Sequence, residues 1–205
     1  MSATTAAATP VPLLSLARQN RALGPAIKKA VARVLDSGVF IMGPENRAFE
    51  TEFAEALGLA RVLGVDSGTS ALELALRAVG VGPGDEVIVP SFTFIATATA
   101  VSAVGATPVI ADVDEKTLTL SAAEIERTVT AKTKAVIPVH IYGQPAEMDA
   151  IMATASKRKL AVVEDCAQAH LTSYKGRAAG SIGAVSAFSF YPSKNLGAAG
   201  AAGAA

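Results

Sequence analysis

The stretch Leu160-Ala161-Val162-Val163-Glu164-Asp165-Cys166-Ala167 sets an acid pair directly behind an unbroken apolar run. A short run without alternation suits a strand buried on both faces. Comparable runs lie on either side: RVLGV at 61–65, DEVIVP at 85–90, TPVIADVD at 107–114, KAVIPVH at 134–140 and AVSAFSF at 184–190. Most are separated by segments of helix length, which predicts an α/β fold: a three-layer, mainly parallel sheet with helices on both faces. The exception is 167–183, where YKGRAAGS reads as a turn or hairpin. In open sheets of this kind ligands bind beyond the carboxyl ends of the strands, so the acid pair marks the edge to search.

Ahead of the first run, Leu23, Ile27, Val31 and Val34/Leu35 recur at helical spacing, predicting a helix with one stripe against a core and a stop at Ser37-Gly38. A second helix is expected after Pro44, with Phe49, Phe53 and Leu57 on one face and Gly58 at its end. Residues 1–12 are small, polar and proline-bearing and read as a flexible arm. One large domain is expected over 13–197, and 198–205 as a low-complexity Ala/Gly tail too poor in side chains to form a further strand.

The chain has 205 residues, 51% of them hydrophobic, enough to bury a sizeable core. Lys plus Arg and Asp plus Glu stand at 18 each, so no excess charge draws the protein to nucleic acid or an anionic membrane. The apolar runs are too short to span a bilayer. The single cysteine, Cys166, cannot form an internal disulfide, and the first residues carry no signal-peptide pattern, so a reduced, cytoplasmic protein is expected.

At the strand ends, Asp66-Ser67-Gly68-Thr69-Ser70 opens a helix and reads either as a phosphate seat or as a simple N-cap. Neither GxGxxG nor GxxxxGK[ST] occurs, which argues against an ordinary dinucleotide or P-loop site. Phe94 offers a flat face for a ring, or a core side chain. His140 has no second ligand at metal-binding spacing, so no metal is predicted. The acids Glu164 and Asp165 need a cation or an N–H cluster to stay ionised; their plainer roles are a cap or a salt bridge. Lys194, just past an apolar run, is either a desolvated nucleophile or a surface lysine. Together, a phosphate seat, a ring face, an acid and a lysine on one sheet edge match the needs of pyridoxal phosphate.

The wording of the motifs goes further. GPENRAFETEFAEALG (43–58), DSGTSALELALRA (66–78), GPGDEVIVPSFTFIATATAV (82–101), GATPVIADVD (105–114), PVHIYGQPAEMDAI (138–151), VEDCAQAH (163–170), YKGRAAGSIG (174–183) and FSFYPSKNLGA (188–198) resemble, in order and spacing, the DegT/DnrJ/EryC1/StrS family of sugar aminotransferases. The resemblance covers about 11–198 and implies a fold-type-I, pyridoxal-phosphate-dependent large domain. It implies Lys194 as the residue that takes the cofactor's aldehyde and shuttles a proton, and Asp165 as the partner of the pyridinium nitrogen. Gln168 is implied near the ring's hydroxyl side, Phe94 stacked on the ring, and Gly68, Thr69 and Ser189 around the phosphate. The implied reaction moves an amino group from glutamate to a keto group of a nucleotide-linked sugar, in sugar, polysaccharide or antibiotic biosynthesis. Relatives that dehydrate instead have histidine at the lysine position, so Lys194 favours transamination.

The chain departs from the family pattern after Leu196, where Gly-Ala repeats replace the usual acid-bearing Gly-rich stretch, and at Leu171, where glycine is usual. The resemblance implies a homodimer and a small C-terminal domain that this sequence lacks, hence impaired turnover. The competing reading is a non-catalytic pyridoxal-phosphate- or sugar-nucleotide-binding module with a regulatory role, or an inactive fragment.

Overall fold

The computed structural model describes residues 11–205, so most of the expected arm, residues 1–10, lies outside the described residues. The described chain divides into two compact units, one ending at Gly43 and one spanning Pro44–Ala205. The first holds a single helix, α1 (Ala17–Ser37), closed by Gly38 in the left-handed region at φ 65° with its N–H on the Leu35 carbonyl. The stripe of Leu23, Ile27, Val31 and Val34/Leu35 was expected against a core. Instead Leu23, Ile27, Val31 and Leu35 are exposed, Val34 is only partly covered and no residue of α1 is buried, because the described residues of this unit offer the helix no second element to pack on.

The second unit carries α2 (Pro44–Leu57), β1 (Gly64–Val65), α3 (Gly68–Ala78), β2 (Glu86–Pro90), α4 (Ala96–Ala103), β3 (Thr107–Ala111) and α5 (Ala122–Thr128). Then come β4 (Thr133–Val136), α6 (Met148–Arg158), β5 (Ala161–Asp165), β6 (Ser173–Tyr174), β7 (Arg177–Ala178), β8 (Val185–Ser189) and β9 (Gly203–Ala204). Seven strands form one sheet in the order β1-β9-β8-β5-β4-β2-β3, and β6 and β7 form the hairpin expected between 167 and 183. The pairs β2/β3, β2/β4, β4/β5 and β5/β8 are parallel, whereas β9 runs antiparallel to both β1 and β8.

Burial on both faces explains the continuous apolar runs. Val87 and Val89 of β2 join α3 and α4 in one cluster, while Ile88 points to the other, with α5 and α6. All three are fully buried, each worth roughly 1.5–3 kcal/mol relative to exposure. A third cluster sets Phe53 of α2 against Phe188 and Phe190 at edge-to-face angles. No helix among the described residues is long and apolar enough to cross a membrane.

The Ala/Gly end corrects the expectation that it forms no strand. Gly203-Ala204 is threaded between β1 and β8, with both residues buried. Its poverty in side chains is a packing requirement: a Cβ on Gly203 would lie 2.3 Å from the Ser67 carbonyl oxygen, at the entrance to α3.

Candidate active site

The carboxyl ends of β1, β2, β4, β5 and β8 surround a cleft of about 400 Å³. All seven site residues expected from the sequence line it: Gly68, Thr69, Phe94, Asp165, Gln168, Ser189 and Lys194. They come from distant parts of the chain, brought together by the parallel sheet.

At one end, Ser67 caps α3, its side chain accepting the Ser70 N–H at 3.2 Å. This leaves the Gly68 and Thr69 N–H groups at the positive end of an eleven-residue helix, a favourable place for an anion. The helix start and Ser189 are in close apposition, since a Cβ on Gly68 would lie 2.6 Å from the Ser189 Cβ. The cap is thus present at this turn, and it leaves the Gly68 and Thr69 N–H groups unused by it.

At the other end stands Asp165, 5% exposed. Its Oδ1 accepts the Ala167 N–H at 3.1 Å and its Oδ2 accepts the Thr97 hydroxyl at 2.9 Å. Burial pushes its pKa up, against the pull of those two donors and of the Lys194 charge. Thr97 sits one helical turn beyond Thr93, and their hydroxyl oxygens are 2.8 Å apart. Sequence reading missed both threonines; the signal was their i,i+4 spacing in TFIAT, where the run after β2 enters α4.

Lys194 lies in the turn after β8, its N–H on the Tyr191 carbonyl at 2.8 Å. Phe190 donates to the Ala202 carbonyl and accepts from the Ala198 N–H, so the Ala/Gly segment fastens the base of this turn. Asn195 adds a side-chain tie, its Oδ1 2.7 Å from Nδ1 of the buried His170. Burial lowers the Lys194 pKa, partly offset by Asp165. Its amine makes no hydrogen bond or ion pair among the described residues and faces the cleft. Phe94 is 66% exposed, so it belongs to the cleft wall and not to the core. The Gln168 Oε1 accepts the Tyr142 N–H at 2.8 Å, which fixes the orientation of its amide.

Glu164 faces away from the cleft. Its oxygens accept from Gly180, Ile182 and Gly183 N–H groups at 2.9, 2.7 and 2.6 Å and bond His140 Nε2 at 2.9 Å. His140 Nδ1 accepts the Ala146 N–H, so Nε2 carries the proton and donates to Glu164. Burial raises the Glu164 pKa, but His140 and the Gly183 and Gly180 N–H groups outweigh it and the net shift is downward. Cys166 lies near both, yet the histidine and glutamate are committed to each other and to backbone, which makes this cluster a structural tie.

The profile of the DegT/DnrJ/EryC1/StrS aminotransferase family matches residues 22–205. The chain is 52% identical to a UDP-N-acetyl-3-dehydro-alpha-D-glucosamine 3-aminotransferase of Acidithiobacillus ferrooxidans, over 95% of this chain and 53% of that protein. It is 50% identical to a dTDP-3-amino-3,4,6-trideoxy-alpha-D-glucose transaminase of Streptomyces venezuelae, over 95% of this chain and 51% of that one. Among solved structures it resembles S. venezuelae DesV in complex with a ketimine intermediate: TM-score 0.92, 51% identity, 96% of this chain and 53% of that chain. The chain thus spans about half the length of the relatives it matches.

Proposed function

Because the chain belongs to the DegT/DnrJ/EryC1/StrS aminotransferase family, we propose that it is the cofactor-binding part of a pyridoxal-phosphate-dependent sugar aminotransferase. The observation that carries this reading is the pairing, in one cleft, of a half-buried, unengaged lysine amine with a buried carboxylate that has lone pairs to spare. The donor set fits the group. An anion seat, a carboxylate able to receive a cationic ring N–H, and a free amine are what a phosphorylated pyridine aldehyde requires.

When bound, pyridoxal phosphate supplies an aldehyde that carries an amino group between partners and a ring that draws electrons from the adjacent carbon. Lys194 Nζ would hold the aldehyde and, once displaced by a substrate amine, take and return the proton that moves between carbon atoms. Its lowered pKa leaves more of the amine neutral at a given pH, which both tasks need. Asp165 would keep the ring nitrogen protonated. The Gly68 and Thr69 N–H groups and the Ser189 hydroxyl would bind the phosphate, Phe94 would lie against the ring, and the Gln168 NH2 would reach its hydroxyl side.

The relatives named above act at carbon 3 of nucleotide-linked sugars. We extend this to the present protein: the acceptor is a nucleotide-linked 3-keto sugar, the donor is glutamate, and the enzyme works in the cytoplasm as a homodimer. The test supplies pyridoxal phosphate, nitrogen-labelled glutamate and a UDP- or dTDP-linked 3-keto sugar, with mass spectrometry of the sugar. Label in the sugar, matched by 2-oxoglutarate and lost in Lys194→Ala, is the expected result. An unlabelled sugar with no 2-oxoglutarate formed, while the cofactor is bound, would remove the aminotransferase reading for this chain.

A further inference from the structure

The cleft contains a hydroxyl chain that none of the roles above uses. The Thr97 hydroxyl has one proton, and the 2.9 Å contact to Asp165 Oδ2 commits it, because a carboxylate can only accept. The 2.8 Å contact between Thr93 and Thr97 is then settled in direction: Thr93 donates and Thr97 accepts. Thr97 is 1% exposed, so water cannot replace either bond. The chain runs one way, Thr93 to Thr97 to Asp165, and ends on the one acid that faces the cleft. A hydroxyl that accepts one hydrogen bond while donating another is the stronger donor for it.

We propose that Thr97, braced by Thr93, is a positioning residue that holds the Asp165 carboxylate ionised and aimed into the cleft. The sheet fixes the Asp165 backbone through the Pro138 carbonyl and the His140 N–H, but among the described residues the side chain has only the Ala167 N–H and the Thr97 hydroxyl as hydrogen-bond donors to set its plane. Burial alone would favour the protonated acid. Thr97 supplies a donor that prefers the charged form and cannot swing to solvent. The other titratable groups about Asp165 are Lys194 from the turn after β8, His140 from the loop after β4, and its chain neighbours Glu164 and Cys166. None of them is a partner of Thr97, so the relay can be removed without disturbing them.

This proposal rests on Asp165 being the acid opposite the ring nitrogen, and its test is recorded without pyridoxal phosphate so that the two can fail separately. Carboxyl-carbon NMR on aspartate-labelled protein, with the Asp165 signal assigned through Asp165→Asn, follows its titration in Thr97→Val, Thr97→Ser and Thr93→Val. A hydrogen bond to a charged group corresponds to about one to two pH units of titration. Thr97→Val is expected to raise the Asp165 midpoint by that amount, Thr97→Ser to restore it, and Thr93→Val to raise it by less. A merely structural Thr97 would let serine and valine behave alike, or leave the midpoint of the folded valine variant in place; either overturns the proposal. Should Thr97→Val fail to fold, Thr93→Val decides, and an unmoved midpoint there is equally contrary.

Discussion

Adjacent carboxylates in one strand meet opposite fates because successive side chains point to opposite faces. Glu164 turns toward the hairpin side and is held by three backbone N–H groups and a histidine, while Asp165 turns toward α4 and the cleft. Their pH linkages accordingly have opposite signs. The pKa of Glu164 is lower folded than unfolded, so its contribution is present above the ordinary glutamate value and is lost as pH falls through the folded one. The pKa of Asp165 is higher folded than unfolded, so its contribution is full below the ordinary aspartate value and is lost as pH rises through the folded one. Glu164→Gln puts an NH2 group against backbone N–H donors, so it should cost about 1–3 kcal/mol near neutral pH and remove the acid limb of the stability profile. Asp165→Asn should remove the loss of stability that sets in as pH rises above the ordinary aspartate value. Urea unfolding across the pH range measures both, and parallel profiles for the two variants would refute the division of roles. The sequence flagged the pair but not its split, since which acid faces the cleft depends on the register of β5 with its neighbours. Leu171 is the reverse case: glycine is usual there by family resemblance, and the structure shows why, with φ at 59° in the left-handed region.

Element by element, the parallel strands and their crossovers were legible because burial on both faces leaves a direct mark on composition. The last strand was not, because β9 is defined by what it must avoid. Lying against the Ser67 carbonyl and beside β8, it has room for almost nothing but backbone, and close-packed Gly and Ala look the same in sequence as low complexity. The same segment fastens the Lys194 turn through Phe190, which links a fold element to the reactive amine. Gly203→Ala is expected to destabilise by about 1–3 kcal/mol, since the atom it would strike is backbone and cannot move aside. Gly82→Ala, at a position open to solvent space, should change stability by no more than about 0.5 kcal/mol. Equal denaturation midpoints for the two variants would mean that β9 does not pack as described.

Across the whole second unit, the cleft gathers residues from Ser67 to Ala202, a convergence that the strand-end rule anticipated and to which family resemblance added the expected roles. Chemistry-bearing residue types were visible one at a time, each with an ordinary alternative. Their convergence follows from strand order, which places β8 and β5 side by side and the start of α3 against β8. The supporting hydroxyls of Thr93 and Thr97 were hidden for the same reason, because their partner is sixty-eight residues from Thr97. The most direct test of the central claim adds pyridoxal phosphate to the purified chain, records its absorbance, reduces with borohydride and maps the modified peptide, with Lys194→Ala alongside. The predicted result is a band at the violet edge of the visible range and a pyridoxyl mass on the Lys194 peptide alone. A folded chain that shows no band, or carries the mass on other lysines in equal measure, would contradict it.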